Sequence, residues 1–230
     1  QLANLYSAKV LHGRVEGDRS IWNIDSVDRF VAPDTFHEQL IEAVSPRLSL
    51  GEDCASFYVG RNPVISTIPL PSIIIEVVND YQPGIDFFRA PITVHRFKVR
   101  GADVFQTIYF PDPDLLVYRA SMTGDTLIIE SMGDGALELD EVLEAFGLSY
   151  NGGQGTEEVE KVEQRFGKIA PIDDIVRREL LFRLTQDYNV YSLGRFAIWK
   201  NILLDDVVQD IDVIKRLRQS GASYDQRVAA

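Results

Sequence analysis

Four runs decide the fold: Ile92–Val99 (ITVHRFKV), Val104–Phe110 (VFQTIYF), Leu115–Met122 (LLVYRASM) and Thr126–Glu130 (TLIIE). Each is rich in β-branched and aromatic residues, which suit a pleated, half-buried surface. Turn signals separate them: Arg100–Gly101–Ala102–Asp103, Pro111–Asp112–Pro113–Asp114 and Thr123–Gly124–Asp125. Four strands with connections this short predict an antiparallel meander.

Outward from that sheet the pattern changes. Towards the N-terminus, Tyr6–Leu11 and Ser20–Ile24 read as strands, with the Gly13–Asp18 turn between them. Thr35 with Glu38 forms a capping-box pattern, and Phe36, Leu40, Ile41 and Val44 fall at helical spacing, which predicts a helix over 35–44. Phe57–Val59 and Val64–Ile68 read as buried strands, the second stopped by Pro69 and Pro71. Towards the C-terminus, Leu139, Val142, Leu143 and Phe146 line one helical face ahead of Gly147, a left-handed stop. Asn151–Gly155 reads as a loop. Helices are expected over 157–166 and 172–186, then a strand pair Asn189–Tyr191 and Arg195–Trp199. A last helix over 206–219 carries the stripe Val207, Val208, Ile211, Ile214 and Leu217. The fold class is α+β, an antiparallel sheet with flanking helices.

Composition narrows the function classes. The chain has 230 residues, 45% hydrophobic and 25% charged, with a formal net charge of −12. These are the values of a globular protein with ample length for a core. The acidity argues against nucleic acid as a partner for this chain alone, because counterion release needs a basic face. No apolar run is long enough to span a bilayer. The lone Cys54 excludes an internal disulfide and any cysteine cluster for a metal, and points to a reducing compartment, the cytosol. The first residue is Gln1 rather than Met, which suggests processing or a piece of something longer.

Most routes to catalysis find little footing. There is no Gly-x-Ser-x-Gly elbow, and Glu52 and Asp53 beside Cys54 disfavour a thiolate. His12, His37 and His95 lack zinc-site spacing; His37 is expected on the wet face of its helix, and His95 as an exposed partner to a carboxylate. Gly133–Asp134–Gly135 lacks the third glycine of a dinucleotide fingerprint, has Glu138 in its place, and reads as a tight turn. No catalytic residue can be assigned.

Two constellations remain. Tyr109 and Tyr118 fall in adjacent strands and can share a face, with Arg119 expected to point the opposite way. Such a set suits an anionic, flat or phosphorylated ligand; equally, the tyrosines could cap a core while Arg119 pairs with an acid. The second is Gly194–Lys200 (GRFAIWK) followed by Leu204–Val207 (LDDV), where Asp205 stands as an N-cap. The helix start is either plainly capped or free to meet an anion or a polarised carbonyl.

Three stretches resemble a known superfamily. Val64–Leu70 (VISTIPL) resembles the strand that returns to the cofactor domain in flavin amine oxidases and protoporphyrinogen oxidases. Gly194–Lys200 resembles the C-terminal signature of UDP-galactopyranose mutases, and the Leu204–Val207 helix start sits at the matching distance, though Leu203 stands where those mutases carry an acid. Compact members of this kind also resemble phage-encoded oxidoreductase-like proteins, some of them FAD-dependent lyases of thymidine hypermodification. The resemblance implies FAD, held at Thr67, Pro69, Gly194, Arg195, Trp199, Leu204, Asp205, Asp206 and Val207. A small polar or nucleotide-like substrate would lie over Tyr109, Tyr118 and Arg119. It implies the substrate-domain-like part of a two-domain flavoprotein: 1–75 cofactor-domain-like, 76–135 the substrate sheet, and 136–230 helical and returning to the flavin edge. The Gly-rich segment that holds the ADP half of FAD would come from a preceding segment or a partner chain. The rival expectations are a lyase acting on a DNA base and a non-catalytic binding module on the same scaffold.

Overall fold

In the computed structural model, residues 2–14, 32–33, 35–52, 63–78, 84–133, 135–148 and 155–220 are described. Helices α1 (Leu2–Val10) and α2 (Phe36–Val44) precede strand β1 (Val64–Ser66). A short α3 (Leu70–Ile73) runs into a π-helical turn, Ile74–Val78. Strands β2 (Arg89–Val99), β3 (Val104–Tyr109), β4 (Val117–Gly124) and β5 (Thr126–Met132) follow, then α4 (Leu139–Ala145). Then come β6 (Thr156–Ile169), α5 (Asp174–Tyr188), β7 (Val190–Ser192) and α6 (Leu204–Ser220).

The protein is mixed α and β, built on a five-stranded antiparallel sheet of order β3-β4-β5-β2-β6. Only β3-β4-β5 is a meander. β2 pairs with β5 rather than β3, because residues 100–103 cross the tip of the β4–β5 hairpin: Val99 N–H donates to Asp125 O, and Val104 pairs with Gly124. One face packs Phe97, Val117, Ala120, Met122, Leu127 and Ile129 against Val142 and Leu143 of α4 and Phe146 just after it. Gly147 follows that helix at φ +73°, the left-handed stop its sequence position predicts.

A second core lies beside the sheet. Leu70, Ile73, Ile169, Leu180, Leu184, Val190 and Trp199 are buried together there. Next to it β1 and β7 form a two-stranded parallel pair, Val64 opposite Val190 through Ser66 opposite Ser192. Asp173 caps α5, its Oδ1 accepting from the N–H groups of Ile175 and Val176.

Several expectations are corrected. Residues 6–10 are helical, not a strand: Tyr6 and Val10, one turn apart, pack the same buried cluster as Ile92 and Tyr118. Residues 157–166 are a strand, not a helix. Val159, Val162 and Phe166 have helical spacing, but Glu157 to Arg165 are all exposed, so no core faced that stripe and the ladder to β2 decided the outcome. Arg195–Trp199 is a helical turn rather than a strand, with Ile198 N–H on Gly194 O and Lys200 N–H on Arg195 O. The 35–44 helix forms, yet Thr35 makes no side-chain cap and instead accepts from Gln39 Nε2 at 2.9 Å. In α6, Val208 is exposed and only Ile214 of the predicted stripe is buried. His95 is buried rather than exposed, although its Nδ1 does meet Glu158 Oε1 at 2.7 Å. The readings at 20–24, 54, 57–59 and 151–154 lie outside the described residues.

Candidate functional site

The face of the sheet opposite α4 carries the chemistry. β4 bulges against β5 between Val117 and Arg119, where Val117 pairs with Ser131 and Arg119 with Glu130. The extra residue is Tyr118. A bulge breaks strict alternation, so Tyr118 and Arg119 both turn to the face of Glu130 instead of pointing apart. Tyr109, opposite Arg119 in register, shares it. Tyr6 of α1 ties the aromatics together, with ring centroids 5.1 Å from Tyr109 and 6.1 Å from Tyr118.

Charges gather around Tyr118. Arg119 is ion-paired with Glu130, whose side chain is 12% exposed. Lys168 Nζ stands over the Tyr118 ring, 4.9 Å from its centroid. Arg195 reaches the same place from the turn after β7, its Nη2 donating to Gly167 O at 3.2 Å. Arg119 and Arg195 thus act on the Glu130 carboxylate while Lys168 lies over the Tyr118 ring, in a chain whose net charge is strongly negative.

Burial sets the protonation. Desolvation, then the Glu130 carboxylate, pushes the Tyr118 phenol far above its ordinary range. Desolvation pulls the Arg195 guanidinium down, partly opposed by Tyr118 and Glu130. Burial also works against the Arg119 cation, but the bond and charge of Glu130 outweigh it and the net direction is upward. Among the described residues, Tyr118 Oη, Glu130 Oε2 and Arg195 Nε are buried without a well-aligned hydrogen bond, although the Tyr118 phenol and the Glu130 carboxylate act directly on each other. An unsatisfied buried polar atom costs about 1–3 kcal/mol. Arg195 Nε is the donor that a ligand would satisfy, while Tyr118 and Glu130 are complementary to each other as well as to a polar ligand.

The predicted cofactor residues divide. Thr67 and Pro69 follow the carboxyl end of β1, and Gly194 and Arg195 that of β7. The strands hold them side by side, with Leu193 N–H on Ser66 O and Leu70 N–H on Phe196 O. Carboxyl ends of adjacent parallel strands are the usual ligand-binding end of such sheets. Gly194 has φ +88°, a conformation that favours glycine. Trp199 does not belong to this group. It is fully buried in the second core, its Nε1 donating to Ala170 O at 2.9 Å, so it supports the turn from inside. At the start of α6, Asp205 is exposed and is not the cap; Asp206 Oδ2 reaches back to Leu203 N–H at 2.9 Å. Leu203 and Leu204 are exposed there, 72% and 84%, and Val207 is half-buried.

Asp206 also lines a cleft of about 410 Å³ between α5 and α6, with Arg177, Lys200 and Asp210. Desolvation, then Asp206, raises the Asp210 carboxyl. Ser192 Oγ, buried and without a partner among the described residues, lies in its wall.

Sequence reasoning missed Tyr6, Glu130, Gly167 and Lys168. Glu130 had a signal, as a lone carboxylate within the otherwise uncharged TLIIESM strand. The others had none, because they are placed by α1 docking and by β6 pairing. Among the described residues no group of three or more His, Cys, Asp or Glu could hold a metal, and no helix is long and apolar enough to cross a membrane. Comparison with protein-family models, with curated proteins and with solved structures gives no match.

Proposed function

We propose that this chain forms the substrate and flavin-edge region of an FAD-dependent enzyme acting on a small polar or nucleotide-like molecule, in the cytosol. One observation carries the reading: Arg195, set at the carboxyl end of a parallel strand and bonded to Gly167 O, lies within the electrostatic reach of Tyr118, Arg119 and Glu130 of the antiparallel sheet, and its buried Nε has no partner among the described residues. The fit to a flavin is partial and specific. Thr67, Pro69, Gly194 and Arg195, at the neighbouring carboxyl ends of β1 and β7, would offer an edge for the ring. Trp199 takes no part in binding.

The flavin, when bound, supplies electron transfer or covalent chemistry that side chains cannot. The chain's own residues orient and hold. Arg119 and Lys168 attract an anionic substrate group, Tyr109 and Tyr6 present ring surface, and Glu130 Oε2 accepts from a substrate hydroxyl or amide N–H. A DNA substrate is less well supported, since the outer strand β6 exposes Glu157, Glu158, Glu160 and Glu163.

The test is FAD titration followed by flavin fluorescence. Saturable quenching is expected, abolished by Arg195→Ala and retained in Trp199→Phe. Flavin that stays unquenched at every protein concentration overturns the reading.

A further inference from the structure

The sheet has two outer strands, β3 and β6, and they are guarded differently. β6 carries Glu157, Glu158, Glu160, Lys161, Glu163 and Arg165. Charges on an edge strand discourage pairing with another chain. β3 (VFQTIY) has no charge, no proline and no bulge against β4. Its Phe105 is 73% exposed and its Tyr109 46%.

The register decides which backbone groups of β3 are free. Phe110 N–H donates to Tyr118 O, and the ladder runs from Tyr109 opposite Arg119 to Val104 opposite Gly124. Antiparallel bonding alternates. Val104, Gln106 and Ile108 therefore direct N–H and C=O to β4, while Phe105, Thr107 and Tyr109 direct theirs outward. Among the described residues nothing pairs with that outer edge.

We propose that β3 pairs with β3 of a second copy, antiparallel about a twofold axis at Thr107, joining two sheets into one. Thr107 exchanges both backbone bonds with the partner's Thr107. Phe105 exchanges with the partner's Tyr109, and the reverse pair repeats it, as an isologous interface requires. All three outward residues are satisfied in one register. The same register sets each exposed Phe105 beside an aromatic ring, a favourable cross-strand pair. A second copy is the occupant that fits, because the edge is complementary to itself. Copies carrying −12 each repel generally, so contact falls where β3 is uncharged. Pro111 ends the pairing on one side and Asp103 on the other, and β6 is guarded, so assembly stops at two. The contact is short, so the dimer is expected to depend on concentration and to strengthen with salt.

Sedimentation velocity across a concentration series tests this, with hydrogen exchange beside it. The expected result is a monomer–dimer equilibrium. Amides of Phe105, Thr107 and Tyr109 gain protection as dimer forms, while Gln106 and Ile108 are protected throughout. Phe105→Lys and Thr107→Pro should each give monomer with an unchanged circular dichroism spectrum. Proline is tolerated at 107 because that N–H faces outward. A monomer at every accessible concentration, a dimer that survives both variants, or growth beyond two copies overturns the proposal. None of these outcomes depends on whether FAD binds.

Discussion

Gly167 presses its bare Cα against Ile92: a Cβ built there would lie 2.2 Å from Ile92 Cγ1 and 2.8 Å from Ile92 Cβ. The contact arises where β6 slips register against β2, between Ala90 and Ile92. Ile92 is buried and β-branched, so it cannot swing aside. Gly167→Ala should therefore destabilise the fold by about 1–3 kcal/mol, the range for overpacking. Urea unfolding measures it. Gly167 O also accepts from Arg195, so the variant should weaken ligand binding at Arg195 beyond its effect on stability.

Tyr118 gives a pH prediction. Its folded pKa lies above the unfolded value of about 10, so the folded state keeps the proton where the unfolded state loses it. The stability tied to this group is fully present below about pH 10 and is lost as pH rises further. Tyr118→Phe should flatten the alkaline fall in unfolding midpoint, and Glu130→Gln should bring the phenol down, seen by ultraviolet titration. An alkaline limb identical in Tyr118→Phe and wild type would contradict the assignment.

Trp199→Phe separates support from binding. It leaves Ala170 O without its donor and opens space in the second core, so a loss of about 2–4 kcal/mol is expected from the two effects together. Flavin affinity, measured well below the unfolding midpoint, should stay within twofold of wild type, roughly 0.4 kcal/mol.

Lys9 fastens α1 to the sheet. Its Nζ donates to Phe110 O at 2.9 Å and Val117 O at 2.6 Å, on either side of the turn between β3 and β4. Desolvation lowers its pKa, with Asp112 and Glu138 opposing. Lys9→Ala should cost about 1–3 kcal/mol by leaving buried carbonyls unpartnered. Amide exchange should rise first in α1, and Tyr118 should become reactive to tyrosine-modifying reagents as Tyr6 withdraws.

What the sequence made legible follows from where side-chain pattern controls structure. β2 to β5 were readable because branched and aromatic residues alternate there between strong turns. β6 was not, since the partner strand and not its own pattern holds it straight. The Tyr118 bulge was equally hidden: alternation predicts opposite faces for Tyr118 and Arg119, and only the pairing of Val117 and Arg119 with Ser131 and Glu130 reveals the inserted residue. The stretches 109–119 and 194–207 stand out in the sequence by residue type alone, as aromatic–arginine and Gly-Arg patterns. Their meeting through Arg195 depends on the second core.

The parallel pair β1–β7 bears on how the chain folds. Its partners are separated by more than half the sequence, and everything from α3 to α5 lies within that span. Closing so long a loop is entropically late, whereas the β3-β4-β5 hairpins close locally. The antiparallel sheet should thus form early, with Arg195 reaching Tyr118 only as β7 docks. Ligand binding would then report on the last step of folding, and a chain severed between β1 and β7 could keep its sheet while losing its site.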